Sequence, residues 1–245
     1  MTGHPTLERA PIREALIDFR VNLGTGLVLE ALEALAHSLR EDFPTQDLIH
    51  QFHGQIRFDP DGVVAEQPQG GLHGHRLVSA DGLDVAQIRY DGFTFSRLAP
   101  YESWVQMLDH AWPVWERYVS GLRPVGVSRT ATRFINCIEV PPHGRLDKVL
   151  TAPPQVPAGW PSACSAFLCR YVLKATDDIT ANVSFATEAG ANHEFASLLL
   201  DIDCYKLSDF PTSGEAIKAT LEKLRKIKND VFFESLTSET LESYK

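Results

Sequence analysis

"LHGHRLVSADGLDVAQIRYDGFTFSRL" occupies residues Leu72–Leu98. Three short runs, "LHGHRLVS", "DVAQIRY" and "FTFSRL", are separated by "ADGL" and "DG". Asp-Gly between alternating runs is a strong local hairpin signal, because glycine readily takes the positive φ of a tight hairpin turn. The stretch therefore predicts an antiparallel meander. Phe93 and Phe95 share one strand face, and Pro100 ends the last run by pushing Ala99 away from helical geometry.

A helix is expected next, from about Glu102 to Gly121, with Trp104, Leu108, Trp112, Trp115 and Val119 at spacings that make one buried stripe against the sheet. Pro113 lies inside it, removes one backbone donor and crowds the carbonyl of Asp109. A kink or a break into two pieces is expected there. A kink beside large aromatic residues would open a pocket, which makes Trp112 a candidate contact.

On the N-terminal side, "EALIDFRV" (14–21) alternates as an opening strand. "TGLVLEALEALAHSLREDFP" (25–44) carries Val28, Leu32, Leu35 and Leu39 at helical spacing, with Thr25 as N-cap and Pro44 closing the segment. "DLIHQFHGQIRFD" (47–59) reads as one strand, and residues 60–71 read as a loop. On the C-terminal side come a long strand, "GVSRTATRFINCIEV" (126–140), and a Pro-rich connector with a short helical turn at "RLDKVL" (145–150). Three more strands follow, at 164–175, 179–187 and 196–207. The capping-box pattern "TSGE" (212–215) then opens a final helix in which Ile217, Leu221, Leu224 and Val231 share a face.

Strands in blocks, with helices between the blocks, predict an α+β fold: antiparallel sheet packed by helices. Element order divides the chain into an N-terminal tail (1–10), an N-terminal α+β half (11–123) and a C-terminal α+β half (124–245). The halves read as a pseudo-duplication of strand, helical element, meander and helix within one compact unit, without a residue-level repeat.

Five motifs in order, "PIREALIDFRV", "DGFTFSRLAPYESW", "RFINCIEVP", "LLLDIDCY" and "VFFESLT", resemble those of a family of sporadically distributed bacterial proteins, over roughly Pro11 to Leu241. The resemblance implies no reaction, cofactor or catalytic residue. Sporadic occurrence implies an accessory or defence-type role, such as a component of a toxin–antitoxin system.

The formal net charge of −9 argues against general nucleic-acid binding, which is carried mainly by Lys and Arg. The opening residues lack a basic segment followed by an apolar one, and no membrane-spanning run is expected. The four cysteines lie in hydrophobic, strand-like segments that suit reduced thiols. A cytoplasmic protein is the expectation.

Candidate sites are few. His73 and His75 lie two apart on a strand with His50 and His53 nearby, but no complete zinc-ligand template is present, so no metal site is assigned and no cofactor is expected. Asp201 and Asp203 share one face of the last strand, after His193 and Glu194. In a cleft they would hold Mg²⁺ or act as acid and base; otherwise they pair with strand arginines. Arg129 and Arg133, four apart, and Arg170 on another strand are candidates for an anionic ligand, alongside Arg20, Arg89 and Arg97. No nucleophile elbow or phosphate-binding loop occurs.

The lysines and arginine of the final helix (Lys218, Lys223, Arg225, Lys226, Lys228) read as a solvated face. Phe232, Phe233 and Leu236 of the tail must dock on the body or on another chain, and strand edges leave room for a homodimer. The expected function is therefore a non-enzymatic interaction protein that engages a protein partner or small ligand through its sheet or a sheet–helix groove. The alternative is a metal-dependent hydrolase or nuclease that uses the strand carboxylates.

Overall fold

The structure is a computed structural model that describes residues 4–24, 29–53, 56–59, 62–65, 69–140, 145–157, 159, 166–189, 195–212 and 214–245. The first half contains β1 (Ile12–Asn22), α1 (Leu29–Ser38), β2 (Thr45–His53), β3 (Ile56–Asp59), β4 (Gly62–Ala65), β5 (Gln69–Val78), β6 (Asp84–Arg89), β7 (Gly92–Leu98) and α2 (Trp104–Leu122). The second contains β8 (Gly126–Glu139), α3 (Leu146–Val149), β9 (Leu168–Lys174), β10 (Ile179–Ala189), β11 (Phe195–Phe210), α4 (Gly214–Ser235) and α5 (Ser238–Glu242).

Nine strands form one antiparallel sheet in the order β2-β5-β6-β7-β1-β8-β11-β10-β9. Outward from the central β1–β8 pair, one side runs β7, β6, β5, β2 and the other β11, β10, β9. In each half the opening strand is central and the later strands add back from last to first. The α+β class follows, and the two halves mirror one another in strand order. β3 and β4 form a separate two-stranded sheet.

The expected meander is present as β5, β6 and β7, and its two Asp-Gly sites work differently. Gly82 has φ 75°, as a tight turn demands. Gly92 is needed for another reason: a Cβ there would lie 2.2 Å from the carbonyl oxygen of Phe19 on β1.

Alternation sends Ala15, Ile17, Phe19 and Val21 of β1 to one face, with Phe93 and Phe95 of β7, and all are buried. Trp115 of α2 packs on Phe19 (ring centroids 4.7 Å apart) and Phe93 (5.6 Å). The Tyr118 hydroxyl donates to the Arg89 carbonyl at 2.7 Å. Fully burying each such large side chain contributes roughly 1.5–3 kcal/mol. In the second half, Leu198, Leu200 and Ile202 of β11 form the core with Leu224 and Phe232 of α4.

Several elements depart from the sequence reading. α2 runs unbroken through Pro113, which is exposed on the solvent side, where water can satisfy the carbonyl that loses its helical donor. The buried stripe of α2 is Trp104, Met107, Ala111, Val114, Trp115, Tyr118 and Leu122. Leu108, Trp112 and Val119 flank it, half-buried, so the tryptophans do not share one stripe. The segment read as one strand at 47–59 is split into β2 and β3, and the segment read as a loop holds β4 and the start of β5. "PDG" at 60–62 carries the same Asp-Gly hairpin signal as the later turns.

α4 turns Lys228 inward, against the expectation of a solvated basic face. Phe232 and Leu236 dock on the body, and Phe233 stacks on His4 with centroids 4.4 Å apart. Thr25, Val28, Cys164, Trp160, His193, Glu194 and Ser213 lie outside the described residues, as does the side chain of His53.

Candidate functional site: the second face of the sheet

The described helices pack on one face of the sheet, through the core residues just named. Residues of the opposite phase face the other way: Leu16, Asp18 and Arg20 on β1, Thr94 on β7, Arg89 on β6. Across the β1–β8 seam the register places Arg133 opposite Leu16, Ala131 opposite Asp18 and Arg129 opposite Arg20. Directly opposed residues in an antiparallel pair share a face. The same rule adds Asp203 and Tyr205 from β11, Asn182 and Ser184 from β10, and Arg170 and Val172 from β9.

These side chains form a continuous chain of alternating charge. Arg89 donates to Asp18 (3.1 Å) and to the Thr94 hydroxyl (2.9 Å), which in turn donates to Asp18 (2.7 Å). Asp18 also accepts from Arg129 at 2.8 Å. The other Nη of Arg129 reaches both oxygens of Asp203 at 3.0 Å, and Asn182 donates to Asp203 at 3.2 Å. β6, β7, β1, β8, β11 and β10, which are consecutive in the sheet, are thereby joined through side chains. The Arg129 guanidinium lies 4.6 Å from the Tyr205 ring centroid, a cation–π contact on the same face.

Beside this chain, Arg133 binds Asp201 with two parallel bonds, 2.8 and 2.7 Å. That hydrogen bonding pushes the Arg133 pKa up, which keeps the guanidinium charged. Asp91, at the β6–β7 turn, accepts from Arg20 and Arg89 and contacts His73 at 3.1 Å. Desolvation pushes the Asp91 carboxyl up, but the charges of Arg20, Arg89 and His73 outweigh it and leave the pKa below the usual carboxylate value.

Of the residues singled out in the sequence, Arg129, Arg133, Asp201 and Asp203 meet on this face as two guanidinium–carboxylate pairs. Arg170 shares the face at the β9 edge, exposed and without an ion pair among the described residues. Trp112 is elsewhere: it lies on α2, on the helix side, where its indole donates to Glu116 at 2.9 Å and Lys218 sits 4.3 Å over its ring. Arg97, grouped with the other strand arginines in the sequence, shares the phase of Phe95 and faces the helices, bound to Asp84 at 3.1 Å.

Asp18, Thr94 and Asn182 were not singled out. Their signal was present as the polar phase of strands whose other phase is aromatic or aliphatic.

Toward β9 the face also carries exposed apolar side chains. Leu168 and Val172 on β9 are 77% and 64% exposed, and Leu207 on β11 is 65% exposed. Among the described residues no group of three or more His, Cys, Asp or Glu is arranged to hold a metal ion. Cys137, Cys169 and Cys204 are free thiols. No helix among the described residues is long and apolar enough to cross a membrane. No family model matches the chain, and no curated protein or solved structure matches it.

Proposed function

We propose that this chain is a non-enzymatic cytoplasmic interaction protein that engages a protein partner through the second face of its sheet. The observation that carries the reading is the asymmetry of the sheet. One face is clamped by helices, whereas the other holds a pre-ordered lattice of alternating charges bordered by exposed Leu168, Val172 and Leu207. Apolar anchors beside fixed, paired charges suit a protein surface with its own alternating pattern, since complementary charges set register and specificity. A polyanion would instead need a surplus of unpaired cations. The proposal extends to a bacterial defence or toxin–antitoxin setting, in which the occupant is a protein.

Support for the hydrolase or nuclease alternative is lacking in the geometry of Asp201 and Asp203. Each carboxylate already holds a guanidinium, and a metal would have to displace it. The proposal is tested by co-purification from the native host of the wild type, of Arg170→Glu/Val172→Asp on the sheet face, and of Lys223→Glu/Lys226→Glu on α4. A partner retained by the α4 variant and lost by the sheet variant supports the reading. Loss with the α4 variant alone would overturn it.

A further inference from the structure

β9 closes one end of the nine-stranded sheet and pairs with β10 from Leu168 to Lys174 without a register shift. Just beyond its ends, the Thr187 amide donates to the Phe167 carbonyl at 3.2 Å and the Ala175 amide to the Ile179 carbonyl at 2.9 Å. Hydrogen bonding alternates along an antiparallel strand, so Cys169, Tyr171 and Leu173, in phase with Phe167 and Ala175, turn their main-chain groups to β10. Leu168, Arg170, Val172 and Lys174 direct theirs to the open side. The opposite edge is less regular, because the pairing of β2 with β5 shifts register between Ile49 and His50.

Both faces of β9 are open as well. Tyr171 and Leu173 are exposed, although Val183 and Ala181 opposite them on β10 are buried in the core under α4. The apolar phase of the sheet thus continues past the helix layer into solvent. On the other face, Arg170 and Lys174 hold no carboxylate among the described residues. Arg20, Arg89, Arg97, Arg129 and Arg133 of the inner strands each hold one.

These two cations decide which strand the edge can take. A second copy of β9, antiparallel about a two-fold axis, joins the outward-directed residues of the two copies to one another. Centred on Arg170, the pairing sets Arg170 opposite itself; centred on Val172, it sets Arg170 opposite Lys174. Centred on Tyr171, it sets Arg170 diagonal to both cations of the other copy. Like charges so placed oppose self-pairing, and edge cations serve that end in many sheets. An acidic strand gains from the same charges.

We propose that the β9 edge takes an added strand from an acidic partner: an extended segment with carboxylates opposite Arg170 and Lys174 and apolar side chains beside Tyr171 and Leu173. The two carboxylates are four residues apart, as the two cations are, and the apolar residues lie between them in the other phase. Main-chain bonds to the edge give affinity and the alternating side chains give specificity. The inference rests on the reading of this chain as an interaction protein, and it adds a docking mode and a partner chemistry. The two fail separately, because a purified chain and a synthetic strand test the edge without the native partner.

The experiment is an NMR titration of the full chain with the capped peptide Thr-Glu-Val-Thr-Val-Glu-Thr and with its counterpart carrying Lys in place of Glu. The expected result is saturable binding of the acidic peptide, at least about tenfold tighter than the basic one, with new exchange protection at the amides of Leu168, Arg170, Val172 and Lys174. Arg170→Glu/Lys174→Glu should invert the preference. Val172→Pro removes one outward-directed N–H, leaves the bonds to β10 in place, and should weaken the acidic peptide about tenfold with Tm unchanged. No saturation by the acidic peptide at millimolar concentration, or binding indifferent to both variants, would overturn the proposal. A wild-type homodimer in ultracentrifugation that Val172→Pro dissociates would also overturn it, by assigning the edge to a second copy.

Discussion

Asp18 accepts from three groups, Arg89, Thr94 and Arg129, and it is buried at the seam between the two halves. Removing Arg129 takes one donor from Asp18 and the paired donor from Asp203. Arg129→Ala should therefore cost roughly 1–3 kcal/mol in urea denaturation. Arg133→Ala removes a pair whose arginine is 43% exposed and should cost under about 1 kcal/mol. Equal costs would contradict the role of Asp18 as the node. Arg129, Arg133, Asp201 and Asp203 were legible in the sequence because two-residue and four-residue spacings on a strand guarantee a shared face. Asp18 was not, because one acid between Ile17 and Phe19 looks like ordinary alternation until its partners from other strands are placed around it.

Lys228 gives the opposite lesson. It is 8% exposed, with its Nζ 3.7 Å from the Phe134 ring centroid, and burial lowers its pKa to about 7, with Arg225 adding repulsion. A lysine whose folded pKa is depressed binds fewer protons folded than unfolded between about pH 7 and its ordinary value near 10.4, so stability rises with pH through that window. Relative to Lys228→Met, the wild type should therefore gain stability between pH 7 and pH 10, by an amount on the order of 2–4 kcal/mol. Denaturation of both proteins at the two pH values checks this, and a flat difference would contradict it. In the sequence Lys228 belonged to a run of cations, and only its helical phase with Leu221 and Leu224 pointed inward.

At the level of elements, the close approach of β7 to β1 at Gly92 is the tightest constraint on the meander. Gly92→Ala should cost roughly 2–4 kcal/mol, measured by chemical denaturation, because the obstructing atom is backbone and cannot swing aside. Strand positions were readable from alternation and turn residues, and so was α2. The buried side of α2 was misread by about one position because Trp104, Leu108, Trp112 and Trp115, at spacings of four, four and three, look like a stripe. Met107, Ala111, Val114 and Tyr118 make the actual contact together with Trp104 and Trp115, whereas Leu108 and Trp112 lie at its margin. Hydrogen exchange should protect β1 and β8 most and β9 least, since β9 is an edge strand with exposed residues along most of its length. Early exchange of β8 would contradict the placement of the seam at the centre.

For the whole molecule, the antiparallel α+β class followed from blocks of strands. Which sheet face the helices cover was not legible, because both phases of the central strands carry residues that can be buried, such as Leu16 and Ile17 or Thr130 and Ala131. Resolving that choice separates the charged lattice from the core and gives the proposed interaction surface its location. The central claim is that partners meet this face and not the helix layer. Photo-crosslinking amino acids placed at Val172 and Leu207 on the sheet face, and at Lys223 and Lys226 on α4, test it in the native host. Discrete adducts of one mass class from the first pair and none from the second are the predicted result; adducts from α4 with a silent sheet face would contradict it.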